Sequence, residues 1–289
     1  VSAANLTSVL IVAANSGNDV VACVERVVAS TAAVEVIVSD NASEDGSIDT
    51  LAKRWHGDAR VRIVRNGRNL GFGAGCNRAA AQARGDVLLI LNPDCLIEAD
   101  TVERLRDVLA TDKTIGVVGA TIVDANGRYE SASRRRDPLV RRALASMTGL
   151  ARIGGVEGIN LHSPAHGAIE DVDAVSGALM MMPADLFGLV DGFDEGYFLH
   201  CEDLDLCRRV RDRGARVVCA NSIRVVHGKG TSSKRRPVFV ALHKHRGMWR
   251  WFTKFDPAAQ NTLVRAVVWL GLWSHFVVMV PRYWLARQR

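Results

Sequence analysis

Residues 87–91 read Val-Leu-Leu-Ile-Leu, closed on one side by Asp86 and on the other by Asn92-Pro93-Asp94. A strand with no polar alternation must be covered on both faces, and sheets of that kind are parallel and sandwiched between helices. Similar apolar runs occupy residues 8–13, 34–38, 61–64 and 116–123. Between them stand segments with helical spacing, at 18–30 (Val20, Val24, Val27, Val28), 45–55, 73–83 (stopped near Gly85) and 101–110. Strand–helix alternation predicts an α/β fold with a mostly parallel sheet flanked by helices. Ligands in such folds sit beyond the carboxyl ends of the strands, and two of the early strands end in acids, Asp40 and Asp94.

The chain of 289 residues can bury one substantial core with a small appendage. A net charge of +6 favours anionic partners: phosphates, acidic lipid or nucleic acid. Nucleic acid is the weakest of these, because no basic–aromatic platform or helix-turn-helix pattern is present and the acids at 194–205 would repel phosphates. The six cysteines (Cys23, Cys76, Cys95, Cys201, Cys207, Cys219) include no C-x-x-C pair and fall in segments that read as buried. They are expected to be reduced core thiols, as in a cytosolic protein. The start of the chain carries no basic segment, and the apolar run 9–14 is short for a signal sequence, so secretion is not expected.

Residues 131–171 are rich in arginine (Arg134, Arg135, Arg136, Arg141, Arg142) and read as a long excursion. A strand is predicted over 174–182, a helix over 203–213 closed by Gly214, and a strand over 216–220. Beyond Gly228 the character changes, giving a division into residues 1–228 and a C-terminal helical extension, 229–289. A helix is expected over 238–255. Residues 266–280 are apolar on nearly every side; a helix of that length spans about 22 Å, short of the roughly 30 Å hydrocarbon core. A membrane interface and a dimer contact are the two covers open to it.

Five constellations could carry chemistry. Asp40, after a strand and followed by Asn41, Ser43 and Asp45, could hold a pyrimidine ring or ribose; Ser43 or Asp45 also suits a helix cap. The glycines between Asn69 and Asn77 (Gly71, Gly73, Gly75) lack the Rossmann spacing, and serve either close approach to a phosphate or a tight turn. Asn92-Pro93-Asp94 offers a carboxylate to Mg²⁺ or Mn²⁺, or forms a simple turn. The acids Asp194, Glu195, Glu202, Asp203 and Asp205 surround a helix start, where the dipole favours them and would keep Asp203 ionised as a general base requires. His227 ends an apolar strand before a Gly/Ser-rich segment, as a metal ligand or as a structural residue.

In this order the motifs resemble glycosyltransferase family 2, the inverting enzymes with a GT-A fold, over about residues 8–233. The rhamnosyltransferase-like branch is the nearest in pattern, through Asn15-Ser16, Asp40–Ser47, Asn69–Asn77, Leu91–Asp94, Ser176–Ala178, Phe193–Glu195, Glu202–Arg208 and His227–Gly230. The resemblance implies that Asp40 holds the donor nucleotide and that Asp94 and His227 bind Mg²⁺ or Mn²⁺. It implies Asp203 as the base that takes the acceptor proton, and places Asn15, Asn69, Gly71, Asn77, Asn92, Gly177 and Glu202 around the nucleotide sugar. Ala13-Ala14 stand where relatives carry Asn-Tyr, so an aromatic contact to the nucleotide must come from elsewhere. Asn92 is neutral where some relatives carry Asp. The donor implied is dTDP-L-rhamnose, with UDP-sugars as the alternative. The acceptor implied is a lipid-linked saccharide of the cell envelope, met at the inner membrane face, with a homodimer also open. A non-catalytic nucleotide-sugar-binding protein on the same fold is the competing reading.

Overall fold

The computed structural model describes residues 5–142, 158–161, 167–228 and 236–286. Four strands, β1 (Thr7–Ala13), β2 (Val34–Asp40), β3 (Val61–Arg65) and β4 (Val87–Leu91), lie parallel in the order β3-β2-β1-β4. The helices α1 (Gly17–Val28), α2 (Ser47–Arg54) and α3 (Phe72–Ala80) connect them. After β4 come the short β5 (Cys95–Leu96), α4 (Thr101–Thr111) and β6 (Ile115–Val123). Then follow β7 (Arg134–Arg135), β8 (Ile169–Asp171), β9 (Ala174–Val175), β10 (Leu179–Pro183), α5 (Ala184–Leu189), α6 (Glu202–Asp212) and β11 (Arg216–His227). The sheet continues β4-β10-β6-β11-β5, with β8 also paired to β11. β10 runs against β4 and β6, whereas β6 and β11 are parallel, so the mostly parallel α/β sheet predicted from the apolar runs is the one observed.

Alternation along β1 feeds two cores. Val9, Ile11 and Ala13 pack with Val20, Val24 and Val27 of α1, Leu51 of α2 and Leu105 of α4. Leu10 and Val12 face the other side, with Cys76 and Ala79 of α3 and Leu206, Cys207 and Val210 of α6. Full burial of each such aliphatic side chain is worth about 1.5–3 kcal/mol. All six cysteines are buried thiols. At the opposite end of β2 from Asp40, the buried Glu35 accepts from Ser8 Oγ (2.6 Å), the Arg84 N–H (2.7 Å) and the Arg62 guanidinium (2.7 Å), which offsets the cost of removing its charge from water.

Three elements differ from expectation. The strand predicted over 174–182 is two strands, β9 and β10, interrupted at Ser176–Gly177–Ala178. β11 runs on to His227 through an irregularity between Ala220 and Arg224, because the polar Asn221 and Ser222 hide its continuation in a hydropathy pattern. The last helix is longer than its apolar stretch suggested. After α7 (Pro237–Phe255), α8 covers Thr262–Ala286, 25 residues and about 37 Å. Its segment Thr262–Pro281 is long and apolar enough to cross a bilayer, so the length objection falls.

α7 belongs to the core, with Trp251 fully buried in the same cluster as Leu10 and Leu206. Its Arg250 and Lys254 bind Asp194, each at 2.8 Å, and Lys254 also reaches Asp205 at 2.6 Å. α8 packs against α7 and leaves Leu263, Val267, Trp269, Leu270, Val277 and Val278 exposed. Lys229, Gly230, Arg287 and Arg289 lie outside the described residues, as do the side chains of Arg282, Tyr283 and Trp284.

Candidate active site

The carboxyl ends of the parallel strands bring the candidate residues together. Asp94 follows β4, and its Oδ1 lies 3.2 Å from His227 Nε2 at the end of β11. The pairing of His227 with Cys95 in the β11–β5 ladder enforces this meeting. Asn92 Nδ2 stands 3.4 Å from the same imidazole nitrogen. On the other side of the ring, Nδ1 faces Glu130 Oε2 at 3.2 Å. Burial alone would lower the His227 pKa; the hydrogen bonds and charges of Asp94 and then Glu130 outweigh it and raise the value to about 8.

Ligand atoms of Asp94, Cys95 and His227 lie within 4.8 Å of one another. Carboxylate oxygen and imidazole nitrogen suit a hard divalent cation. The Cys95 thiol suits it less, since burial pushes its pKa well above normal and Sγ already contacts the Ala178 carbonyl at 3.4 Å. The Asp19 carboxyl nearby is shifted upward, first by burial and then by the charge of Asp94. The side-chain chemistry of Asp94 and His227 is therefore of a kind that fits a divalent cation.

Asp203 is joined to this cluster through the break between β9 and β10. Its Oδ2 accepts from the Gly177 N–H at 2.9 Å, while the neighbouring Ala178 carbonyl accepts from the Asn92 N–H at 2.9 Å. Oδ1 accepts from the Leu204 N–H at 2.8 Å, within the first turn of α6. Arg135 adds a 2.5 Å ion pair from β7. Burial would raise the Asp203 pKa, but Arg135 and the two backbone N–H groups reverse this and hold it below the ordinary carboxylate value.

A second group of candidate residues stands at the ends of β1 and β2. Asp40 is buried and accepts from the Ser43 N–H at 2.9 Å. The Asn15 N–H donates to Ser43 Oγ (3.0 Å), and its side-chain oxygen accepts from the Glu44 N–H (2.8 Å), tying the two loops together. Asn69 accepts from the Gly71 N–H at 2.9 Å. Gly71 has φ +89° with the Phe198 carbonyl where a Cβ would stand, so close packing as well as the turn demands glycine.

Two motif residues are occupied inside the protein. Asn77 donates to the Phe193 carbonyl and accepts from the Phe193 N–H, both at 2.9 Å. It lines a shallow cleft of about 420 Å³ beside Leu88 near the start of β4, away from Asp94 at the other end. Glu202 is buried, and its Oε2 has no partner among the described residues. Burial and then the charge of Asp203 raise its pKa. Pattern reading missed Glu130, for which no local signal exists, and the role of Arg135, which stood in an arginine-rich stretch read as a long excursion. Arg134 and Arg142 likewise pair within the protein, with Glu170 (2.6 Å) and Asp173 (3.2 Å).

Residues 8–165 match the profile of glycosyl transferase family 2. The chain belongs to this family. The family 2 chain is 29% identical over 245 residues to the N-acetylglucosaminyl-diphospho-decaprenol L-rhamnosyltransferase of Mycobacterium tuberculosis, covering 75% of this chain and 77% of that protein. It is 27% identical over 167 residues to the rhamnosyltransferase WbbL of Escherichia coli, covering 54% and 60%. Among solved structures, the mannosyltransferase PcManGT of Pyrobaculum calidifontis, in complex with GDP-Man and Mn²⁺, superposes with a TM-score of 0.60 at 18% identity, covering 98% of this chain and 73% of that one. TarS of S. aureus, residues 1–349, gives 0.57 at 16% identity, covering 96% and 82%. The fold is GT-A, and this family 2 glycosyltransferase is similar to rhamnosyltransferases.

Proposed function

We propose that this glycosyltransferase moves L-rhamnose from dTDP-L-rhamnose to a hydroxyl of a lipid-linked saccharide, with inversion at the anomeric carbon. The observation that carries the reading is the meeting of Asp94 and His227 at 3.2 Å, with Asp203 held on the adjoining turn. Asp40 would accept from the nucleotide base or ribose, and the joined loops at Asn15 and Ser43 would frame it. Asp94 and His227 would hold Mg²⁺ or Mn²⁺, which when bound would supply Lewis-acid stabilisation of the charge that develops on the departing diphosphate. Asp203 accepts the proton of the acceptor hydroxyl as its oxygen bonds to the anomeric carbon. The bond from that carbon to the diphosphate breaks on the opposite face, and dTDP leaves with the electron pair. One displacement inverts the configuration and requires no covalent enzyme intermediate.

A lipid-linked acceptor agrees with α8. The segment Thr262–Pro281, 20 residues long, measures about 30 Å as a helix, close to a hydrocarbon core. The protein is accordingly proposed to work at the cytoplasmic membrane face. Flotation of the full chain with anionic vesicles tests this, and a protein that stays in the dense fraction as a dimer assigns α8 to a second copy instead.

The donor is tested by a thermal-shift panel of nucleotide sugars with Mn²⁺, because a ligand that binds only the folded state raises its stability according to concentration over Kd. A larger shift with dTDP-rhamnose than with UDP-sugars is expected. A larger shift with a UDP-sugar replaces the donor.

A further inference from the structure

Glu130 has no place in the family pattern, yet it is built into the site. After β6 the chain turns through Asp124 and Gly127, and the Glu130 N–H returns to the Ile122 carbonyl at 2.9 Å. β6 is the parallel neighbour of β11, with Val123 beside Val226, so the returning strand lays Glu130 against His227. Its carboxylate is mostly buried, 16% exposed. Oε2 meets His227 Nδ1 at 3.2 Å, and the buried Oε1 has no partner among the described residues.

Burying a carboxylate is costly unless its hydrogen bonds are made, and among the described residues the partner of this carboxylate is the imidazole. Nδ1 bonded to Glu130 leaves Nε2 as the nitrogen turned toward Asp94 and Asn92. Metal-bound histidines commonly donate their second N–H to a carboxylate, which fixes tautomer and ring orientation and strengthens the ligand.

We infer that Glu130 is a positioning residue for the metal site: it holds His227 with Nε2 presented beside Asp94 for a divalent cation. The inference rests on the proposed metal-binding role of Asp94 and His227. Glu130 itself makes no contact with the cation, since it lies on the far side of the ring.

The test is Mn²⁺ affinity, read from the electron paramagnetic resonance of free Mn²⁺ during titration of the full chain with and without dTDP. Glu130→Ala is expected to weaken binding about 10- to 100-fold. Glu130→Gln, whose side-chain oxygen can still accept from Nδ1–H, is expected to lose less. Circular dichroism melting of both variants establishes that they fold, and Gln preserves the shape if Ala does not. Mn²⁺ binding in Glu130→Ala equal to wild type overturns the role of Glu130 while leaving the metal site standing. A wild-type protein that binds no Mn²⁺ even with dTDP overturns the metal reading and this inference together.

Discussion

The Arg135 guanidinium clamps the Asp203 carboxylate at 2.5 Å, from 68 residues earlier in the chain, while also donating to the Val175 carbonyl. Both side chains are nearly buried, at 12% and 14% exposure. The pair keeps Asp203 ionised and aimed. Loss of one partner of such a pair leaves an uncompensated charge and costs about 3–5 kcal/mol.

Arg135→Ala should therefore move the pH profile as well as lower stability. With Arg135 present, the Asp203 pKa lies below the ordinary value. Its contribution to stability is complete above about pH 4, the unfolded value, and is lost as pH falls through the depressed folded value. Without Arg135, burial is opposed only by the Gly177 and Leu204 N–H groups and the pKa rises, so the acidic limb of kcat/KM shifts to higher pH. Arg135→Lys, which keeps charge but not the fork, should shift it less. An unmoved profile in Arg135→Ala would show that the pair is structural only.

Glu202 should behave in the opposite sense. Its folded pKa is raised, by burial and then by Asp203. The fold consequently retains a proton that the unfolded chain releases, and stability falls as pH rises above about 4.3. Glu202→Gln removes that dependence. Its melting temperature relative to wild type should climb between pH 5 and pH 8 by several degrees, with about 2–4 °C for each kcal/mol. Parallel melting curves across that range would contradict this account of Glu202.

Gly247 packs α7 against the turn that precedes Asp203, the proposed base. A Cβ there would stand 2.7 Å from the His200 carbonyl oxygen and 3.3 Å from Cys201 Sγ. His200 and Cys201 hold φ of +69° and +71° immediately before Glu202 and Asp203, a left-handed pair costing of order 1 kcal/mol or more per residue. Gly247→Ala should displace this turn and lower kcat about 10-fold or more, since small misplacements of reacting groups are expensive. Mn²⁺ affinity should hold, because Asp94 and His227 lie on other elements. Steady-state kinetics beside a Mn²⁺ titration check the split.

The sheet was legible because continuous apolar runs such as residues 87–91 leave one architecture open. The break at Ser176–Ala178 was not, since apolar residues continue on both sides; the Gly177 N–H freed there donates to Asp203. Asp94, Asp203 and His227 were visible through family resemblance, whereas their joining depends on the pairing of β11 with β5 and on the turn at Gly177. Arg135 looked like surface charge because a run of arginines carries no sign of which member is buried. Asn77 engages the Phe193 backbone with both halves of its amide, a contact that its place in a motif did not announce. Likewise Trp251, deep in the core, sat in a helix whose interspersed lysines and arginines suggested an appendage, although Arg250 and Lys254 are bound to Asp194.

The most direct measurement is release of dTDP from dTDP-L-rhamnose by the purified chain with a lipid-linked saccharide acceptor, in Mn²⁺ and in EDTA. Metal-dependent release is expected, with the rhamnoside formed in inverted configuration. Asp203→Asn should abolish transfer at nearly unchanged donor affinity, and Asp94→Asn should weaken both. Full turnover in Asp203→Asn, or no nucleotide diphosphate released from dTDP- or UDP-sugars by wild type, would contradict the account.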